Sequence, residues 1–150
     1  MITKQHNDTS VSEIHGQSLQ ELLASEYYHE NKKVSDASLL FVRFAESGWH
    51  RFYLDVGILF WQQVEAVDLE ELRGISGPDE FRCIDIANSY NLCGQKLTSS
   101  KMGQLVIEGA NAGCFTLQFK NGTILKLTHI YNDNSNHEFS ERTMLEIKNA

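Results

Sequence analysis

Six histidines and three cysteines are the side chains of this chain best suited to catalysis or metal binding. His50 and His129 fall on segments with strand-like patterns, while the other four histidines lie in polar segments or near the end of a predicted helix. The chain contains no His-Glu-x-x-His or Cys-x-x-Cys spacing, so the sequence predicts no metal site and no cofactor. The cysteines Cys83, Cys93 and Cys114 are widely spaced, which predicts reduced thiols that behave as small apolar residues.

Motifs of nucleotide hydrolysis and of serine hydrolases are missing. No Gly-x-x-x-x-Gly-Lys run exists, and the glycines at 109–113 lie between two predicted strands, as in a hairpin loop. Residues 74–77 lack the spacing of a nucleophile elbow. An enzyme would need groups such as Asp55, Asp85, His50 and His129 to converge in a cleft, so the sequence predicts no catalytic residue and ranks an enzyme last.

Negative charge is concentrated in residues 65–85, which we call the acidic segment. It holds seven carboxylates against Arg73 and Arg82, and so carries −5 of the net charge of −7. These carboxylates are Glu65, Asp68, Glu70, Glu71, Asp79, Glu80 and Asp85. Concentrated negative charge repels nucleic acids and attracts basic proteins, so the sequence favours a basic protein partner. A solvated acidic loop that only keeps the protein soluble is the alternative.

Aromatic residues supply a second set of binding candidates. Alternation places Trp49, Arg51 and Tyr53 on one face of a predicted strand, and exposed aromatic residues beside an arginine are typical of protein interfaces. The predicted partner-binding set is Glu65, Asp68, Glu70, Glu71, Asp79, Glu80, Trp49 and Tyr53. Alternatively, the aromatic residues between 39 and 61 line a cavity for a small molecule.

These side chains must be positioned mainly by β-strands. Aromatic and β-branched residues with turn signals between them predict strands at 39–45, 49–56, 58–65, 81–87, 105–108, 114–120, 123–131 and 143–148. Gly57 marks either a turn or a bulge, and a short helix capped by Ser140 is the alternative for the last strand. The predicted fold class is α+β, mainly antiparallel β: a sandwich or strongly curved sheet of about seven to eight strands.

One hairpin pattern is strong enough to predict a register. A three-residue loop at 120–122, with Gly122 in the left-handed region, sets Leu117 opposite Leu125 and Phe115 opposite Leu127. A two-residue loop at Asn121 and Gly122 would mix apolar and polar residues on each face. We therefore predict the three-residue loop.

Helical signals are confined to two places. Ser18 and Glu21 have the spacing of a capping box ahead of an apolar stripe, which predicts an amphipathic helix at 19–30 packed on the sheet. A second, short helical turn is predicted at 68–73, with Asp68 as its N-cap. Residues 1–16 read as a flexible N-terminal segment, and residues 17–150 as a single globular β-rich domain.

The compartment and the function class follow from composition and from missing motifs. No secretory signal is visible, no apolar run approaches the roughly 20 residues of a membrane span, and the odd number of cysteines favours a reducing compartment, so we expect a cytoplasmic protein. We hypothesise a non-enzymatic protein-binding domain, such as a small bacterial inhibitor or immunity-type protein that engages a basic toxin. The alternatives are a small-molecule-binding sandwich or barrel and an uncharacterised enzyme. Neither nucleic acid nor membrane is expected as a partner, and the oligomeric state stays open.

Overall fold

The structure is a computed structural model that describes residues 3–6, 14–131 and 141–149. Within them, eleven antiparallel strands and two one-turn helices are formed. The strands are β1 Thr3–His6, β2 Leu19–His29, β3 Lys32–Phe44, β4 Gly48–Asp55, β5 Ile58–Val64, β6 Gly74–Ser76, β7 Asp79–Asp85, β8 Leu97–Ile107, β9 Ala110–Phe119, β10 Ile124–Tyr131 and β11 Arg142–Lys148. The helices are α1 Leu69–Leu72 and α2 Ile86–Ser89.

The strands form two sheets. One has seven strands in the order β1-β5-β4-β3-β2-β7-β6, and the other has four in the order β11-β10-β9-β8. The main core lies between them, where the ring of Phe52 from the larger sheet stacks on Phe115 from the smaller one at 5.9 Å. Alternating residues on the inner faces, such as Leu40, Val42 and Leu117, are almost completely buried. The prediction of a mainly antiparallel β fold is confirmed, with more strands than expected.

The predicted helix at 19–30 is wrong, because these residues form strand β2. Leu19 and Leu22 are both fully buried although they are three residues apart, since a bulge at Gln20 adds one residue to β2 between two consecutive pairs with β3. The bulge gives a strand the three-residue apolar spacing that is typical of a helix. The predicted capping box is also absent, because Glu21 accepts a hydrogen bond from the Arg43 guanidinium at 2.6 Å.

Turn chemistry agrees with the structure at both tested hairpins. Val56 and Gly57 have φ values of 49° and 74° and form a two-residue turn between β4 and β5, so Gly57 belongs to a turn and not to a bulge. In the β9–β10 hairpin, Leu117 pairs with Leu125 and Phe115 with Leu127. The predicted three-residue loop at 120–122 is therefore confirmed, with Gly122 at φ 91°.

The cap of α1, the last strand and the N-terminal segment can also be compared with the predictions. Asp68 caps α1 by accepting a hydrogen bond from the backbone N–H of Glu70 at 3.0 Å, as predicted. The last element is a strand, and Ser140, on which the helical alternative depended, lies outside the described residues. Most of the segment 1–16 also lies outside them; of the rest, β1 pairs with β5 and Ile14 is fully buried. The flexibility of that segment and the single domain at 17–150 stay predictions.

No helix in the described part of the chain has both the length and the apolar character needed to cross a membrane.

Candidate functional site

The outer face of the larger sheet, turned away from the smaller one, carries a second apolar cluster. Leu39 and Phe41 of β3 point to this face, because their neighbours Leu40 and Val42 point into the main core. Leu72 of α1 packs on them and is fully buried, and its carbonyl oxygen accepts a hydrogen bond from the Ser25 hydroxyl at 2.8 Å. This contact holds part of the acidic segment against the sheet.

A groove of about 660 Å³ lies on this face, and we call it the outer groove. Its lining residues come from β3, β4, β5, the chain that leads into α1, and α1 itself: Phe41, Arg51, Gln62, Gln63, Val64, Glu65, Ala66, Asp68 and Glu71. Three carboxylates and one guanidinium line it, so the groove has a net negative charge.

The carboxylates of the outer groove differ in how they are engaged. Glu71 forms an ion pair with Arg51 at 2.6 Å, and Asp68 caps α1. Glu65 and the neighbouring Glu70 are exposed, and the side chain of neither pairs with another residue that the structure describes. Their negative charge is therefore available to a partner.

Trp49 and Tyr53 lie on the outer face, as the alternation of β4 predicted, and both are partly buried against its apolar cluster. The guanidinium of Arg43 lies over the Trp49 ring at 5.7 Å, and that of Arg51 lies over the Tyr53 ring at 5.0 Å. Tyr53 also stacks on Phe60 at 4.9 Å. These rings share a face with the outer groove without lining it.

Asp79 and Glu80 lie elsewhere, on β7, and do not line the outer groove. The Asp79 carboxylate contacts His29 Nδ1 at 2.8 Å and accepts a hydrogen bond from the Tyr27 hydroxyl at 2.6 Å, and these contacts lower its pKa. Glu80 pairs with Arg82 at 2.9 Å, which lowers the pKa of Glu80 as well. Neighbouring side chains already pair with both carboxylates, so Asp79 and Glu80 are less suited to attract a basic partner than the exposed, unpaired carboxylates.

A second cluster joins the two sheets. One ligand atom from each of Asp55, His129 and Glu141 lies within 4.8 Å of the other two, and we call these residues the end cluster. Asp55 is the last residue of β4, His129 belongs to β10, and Glu141 immediately precedes β11. Asp55 and His129 were predicted from the sequence as groups that an enzyme would use, but Glu141 was not predicted and no metal site was expected, because the three residues share no local spacing.

Two glycines bring Asp55 to the smaller sheet. A Cβ atom added to Gly113 of β9 would lie 2.9 Å from the Gly57 Cα, so the β4–β5 turn approaches β9 at a point where no side chain fits. The Gln104 amide holds the turn there by donating a hydrogen bond to the Gly57 carbonyl at 2.5 Å. Gly113 pairs directly with His129 on β10, which explains why Asp55 comes close to that histidine.

His129 is the buried member of the end cluster, with 5% of its surface exposed. Its Nδ1 lies 2.9 Å from the Thr143 hydroxyl, while its Nε2 is buried and has no hydrogen-bond partner among the described residues. Burial lowers the pKa of His129, although the carboxylates of Glu141 and Asp55 act in the opposite direction. The imidazole is therefore neutral near pH 7, and Asp55 and Glu141 beside it are exposed.

The other candidate catalytic groups do not join this cluster. His50 lies in the core, where its Nδ1 accepts a hydrogen bond from Trp61 Nε1 at 2.7 Å and its Nε2 lies 2.6 Å from the Ser47 hydroxyl. Asp85 caps α2 by accepting a hydrogen bond from the Asn88 N–H at 3.1 Å. The four groups named for an enzyme thus fall into three separate places.

The three cysteines and the core rings of Phe52 and Trp61 lie outside both the outer groove and the end cluster. Cys83, Cys93 and Cys114 are free, and Cys114 is buried while Cys93 is exposed. Phe52 stacks on Trp61 at 6.2 Å inside the core, so these two rings cover each other.

No protein-family model, no curated protein and no solved structure matches this chain.

Proposed function

We propose that this protein is a non-enzymatic binding protein that engages a basic segment of a partner protein through the outer groove. The observation that carries the proposal is the lining of that groove, where Glu65, Asp68 and Glu71 face a single guanidinium, that of Arg51. A lysine or arginine side chain of a partner would find carboxylates for its charge. It would also find apolar surface for its stem, since Phe41 and Val64 line the same groove.

Charge complementarity supports a protein partner over a nucleic acid. The chain has a net charge of −7, and the acidic segment contributes four carboxylates at or next to the groove, namely Glu65, Asp68, Glu70 and Glu71. Such a surface speeds encounter with a basic protein and slows encounter with a phosphate backbone. Trp49 and Tyr53 on the same face would extend the contact with aromatic surface.

We extend the proposal to a class of protein. A small cytoplasmic inhibitor or immunity-type protein of a bacterium would need a compact scaffold with one acidic surface to neutralise a basic toxin. The size and charge of this chain support that class.

The test exchanges charge at the groove and, as a matched control, at a distant site. Glu65→Lys with Glu70→Lys alters the exposed carboxylate of Glu65, which lines the groove, and that of the neighbouring Glu70. Glu108→Lys with Glu146→Lys makes the same change in net charge at exposed positions of the smaller sheet. Partners captured from the source cells are identified by quantitative mass spectrometry, and the Kd of each purified partner is then measured at low and high salt.

The expected result is a basic partner that binds the wild type and the control variant with similar Kd, and the groove variant at least about 10-fold more weakly. Binding should also weaken as salt rises, because charges at the rim of an interface are screened. If every partner binds the groove variant as tightly as the wild type, the outer groove is not the binding site.

A further inference from the structure

We propose that Asp55, His129 and Glu141 form a binding site for a divalent transition-metal ion of the zinc type. This site is independent of the outer groove and of the proposed protein partner. The proposal rests on the position of three ligand atoms and on a buried nitrogen that the rest of the described chain leaves unused.

The unused nitrogen is Nε2 of His129. Buried polar atoms in proteins nearly always have a hydrogen-bond partner, so a buried ring nitrogen without one calls for an explanation. Only 5% of the surface of His129 is exposed, and its Nε2 has no partner among the described residues. A metal ion bound to the lone pair of Nε2 would supply that missing partner.

The other ring nitrogen is held as a metal-binding histidine requires. Histidines that bind metals commonly donate the N–H of their second nitrogen to an oxygen, which fixes the ring and leaves a lone pair on the first. Nδ1 of His129 lies 2.9 Å from Thr143 Oγ1. Thr143 is itself held in place, because its backbone N–H donates to the Ser35 hydroxyl at 3.0 Å, and both residues are buried.

The two carboxylates can close on the ion. The three ligand atoms lie within 4.8 Å of one another, whereas ligands at about 2.0–2.2 Å from a tetrahedral zinc ion are roughly 3.4 Å apart. Asp55 and Glu141 are exposed, so rotation of their side chains can shorten the ligand–ligand distances to those of a zinc site. His129 would be the fixed ligand and the two carboxylates the adjustable ones.

The ligand types indicate the class of metal. One imidazole nitrogen with two carboxylate oxygens suits zinc and its first-row neighbours, whereas calcium and magnesium prefer oxygen ligands alone and copper(I) prefers sulfur. Asp55 comes from the larger sheet and His129 from the smaller one, and Glu141 immediately precedes β11 of the smaller sheet. A bound ion would therefore link the two sheets, and it would stabilise the folded state by an amount that grows with the logarithm of the free ion concentration above Kd.

The test uses the untagged full chain and ZnCl₂, with CaCl₂ as the comparison ion. Titration calorimetry measures stoichiometry and Kd, and thermal unfolding measures the shift in Tm. Asp55→Asn and Glu141→Gln remove one ligand charge each at exposed positions, where folding should be preserved, and circular dichroism verifies this. Glu146→Gln, an exposed carboxylate of β11 outside the end cluster, is the matched control.

We expect one zinc ion per chain, a Tm that rises by at least about 3 °C at saturation, and no comparable effect of calcium. Asp55→Asn and Glu141→Gln should each weaken zinc binding by at least about 10-fold, while Glu146→Gln leaves it unchanged. In the wild type, the ¹⁵N resonance of His129 Nε2 should shift on addition of zinc. The proposal is overturned if the wild type binds no zinc at 1:1 stoichiometry, or if both carboxylate variants bind it as tightly as the wild type.

Discussion

Gly57 lies in the β4–β5 turn of the larger sheet and Gly113 in strand β9 of the smaller sheet, and a Cβ atom on Gly113 would lie only 2.9 Å from the Gly57 Cα. This contact lets the β4–β5 turn rest on β9, and it is the reason that Asp55 reaches His129. Gly57 also has no space for a side chain, since a Cβ atom added to it would lie 2.7 Å from the Tyr131 hydroxyl oxygen.

Replacing Gly113 with alanine should force the two sheets apart at this point. We expect Gly113→Ala to lower the free energy of unfolding by about 1–3 kcal/mol, the usual cost of overpacking against backbone. Urea denaturation measures the change. Gly103→Ala on the neighbouring strand β8 is the control, because a Cβ at Gly103 meets no atom within 4 Å. Equal stabilities of the two variants would contradict the close approach.

Stability should fall in mild acid because of His50. Burial lowers the pKa of His50 to about 4, and its Nδ1 already accepts a hydrogen bond from Trp61, which leaves no room for a second ring proton. In the unfolded chain a histidine titrates near 6.5, so between pH 6.5 and pH 4 the unfolded state binds a proton that the folded state does not bind. Acid therefore favours the unfolded state in this range. His50 therefore has no effect on the pH dependence of stability above about pH 7.5, and its unequal titration lowers the free energy of unfolding by on the order of 3 kcal/mol by pH 4.

Chemical denaturation at pH 7.5, 6, 5 and 4.5 tests this expectation. His50→Gln keeps polar atoms near the Trp61 N–H but cannot titrate, so its free energy of unfolding should fall less steeply with pH than that of the wild type. The variant should also be less stable at pH 7.5, because it loses the stacking of the imidazole on Trp61 at 5.4 Å. Parallel pH profiles for the two proteins would show that His50 does not cause the acid sensitivity.

The packing of the acidic segment beside the outer groove should depend on Leu72. This side chain is fully buried between α1 and the sheet, so Leu72→Ala should destabilise the protein by about 2–4 kcal/mol and loosen the acidic segment. Leu69→Ala, in the same helix turn but 47% exposed, should change stability by less than about 1 kcal/mol. Thermal unfolding separates the two, and hydrogen exchange at residues 65–73 reports whether the segment has loosened.

The loop of the β9–β10 hairpin should require glycine at 122. Gly122 has φ 91°, a conformation that costs an L-residue energy, so Gly122→Ala should lower the free energy of unfolding by about 1 kcal/mol. Gly122→Asn should cost less, because asparagine tolerates positive φ better than alanine does. A neutral effect of alanine would mean that the loop has another conformation in solution.

The sequence by itself determined the elements whose signals are local. The strands β4, β5, β9 and β10 were predicted because their alternation is regular and their turns contain glycine. The register of β9 on β10 followed from the need to collect Phe115, Leu117, Leu125 and Leu127 on one face. The N-cap of α1 at Asp68 is equally local, since it involves a residue two positions away.

Only the tertiary structure decided the identity of β2 and the two candidate sites. The bulge at Gln20 gave β2 the spacing of a helix, and its pairing with β3 and β7 overrides the local pattern. The end cluster brings together residues from three separate segments of the chain, so no local spacing in the sequence predicts it. Local patterns determine which face of a strand is apolar, but the distance between His129 and Asp55 depends on how closely two sheets pack, and that is set by contacts between residues far apart in sequence.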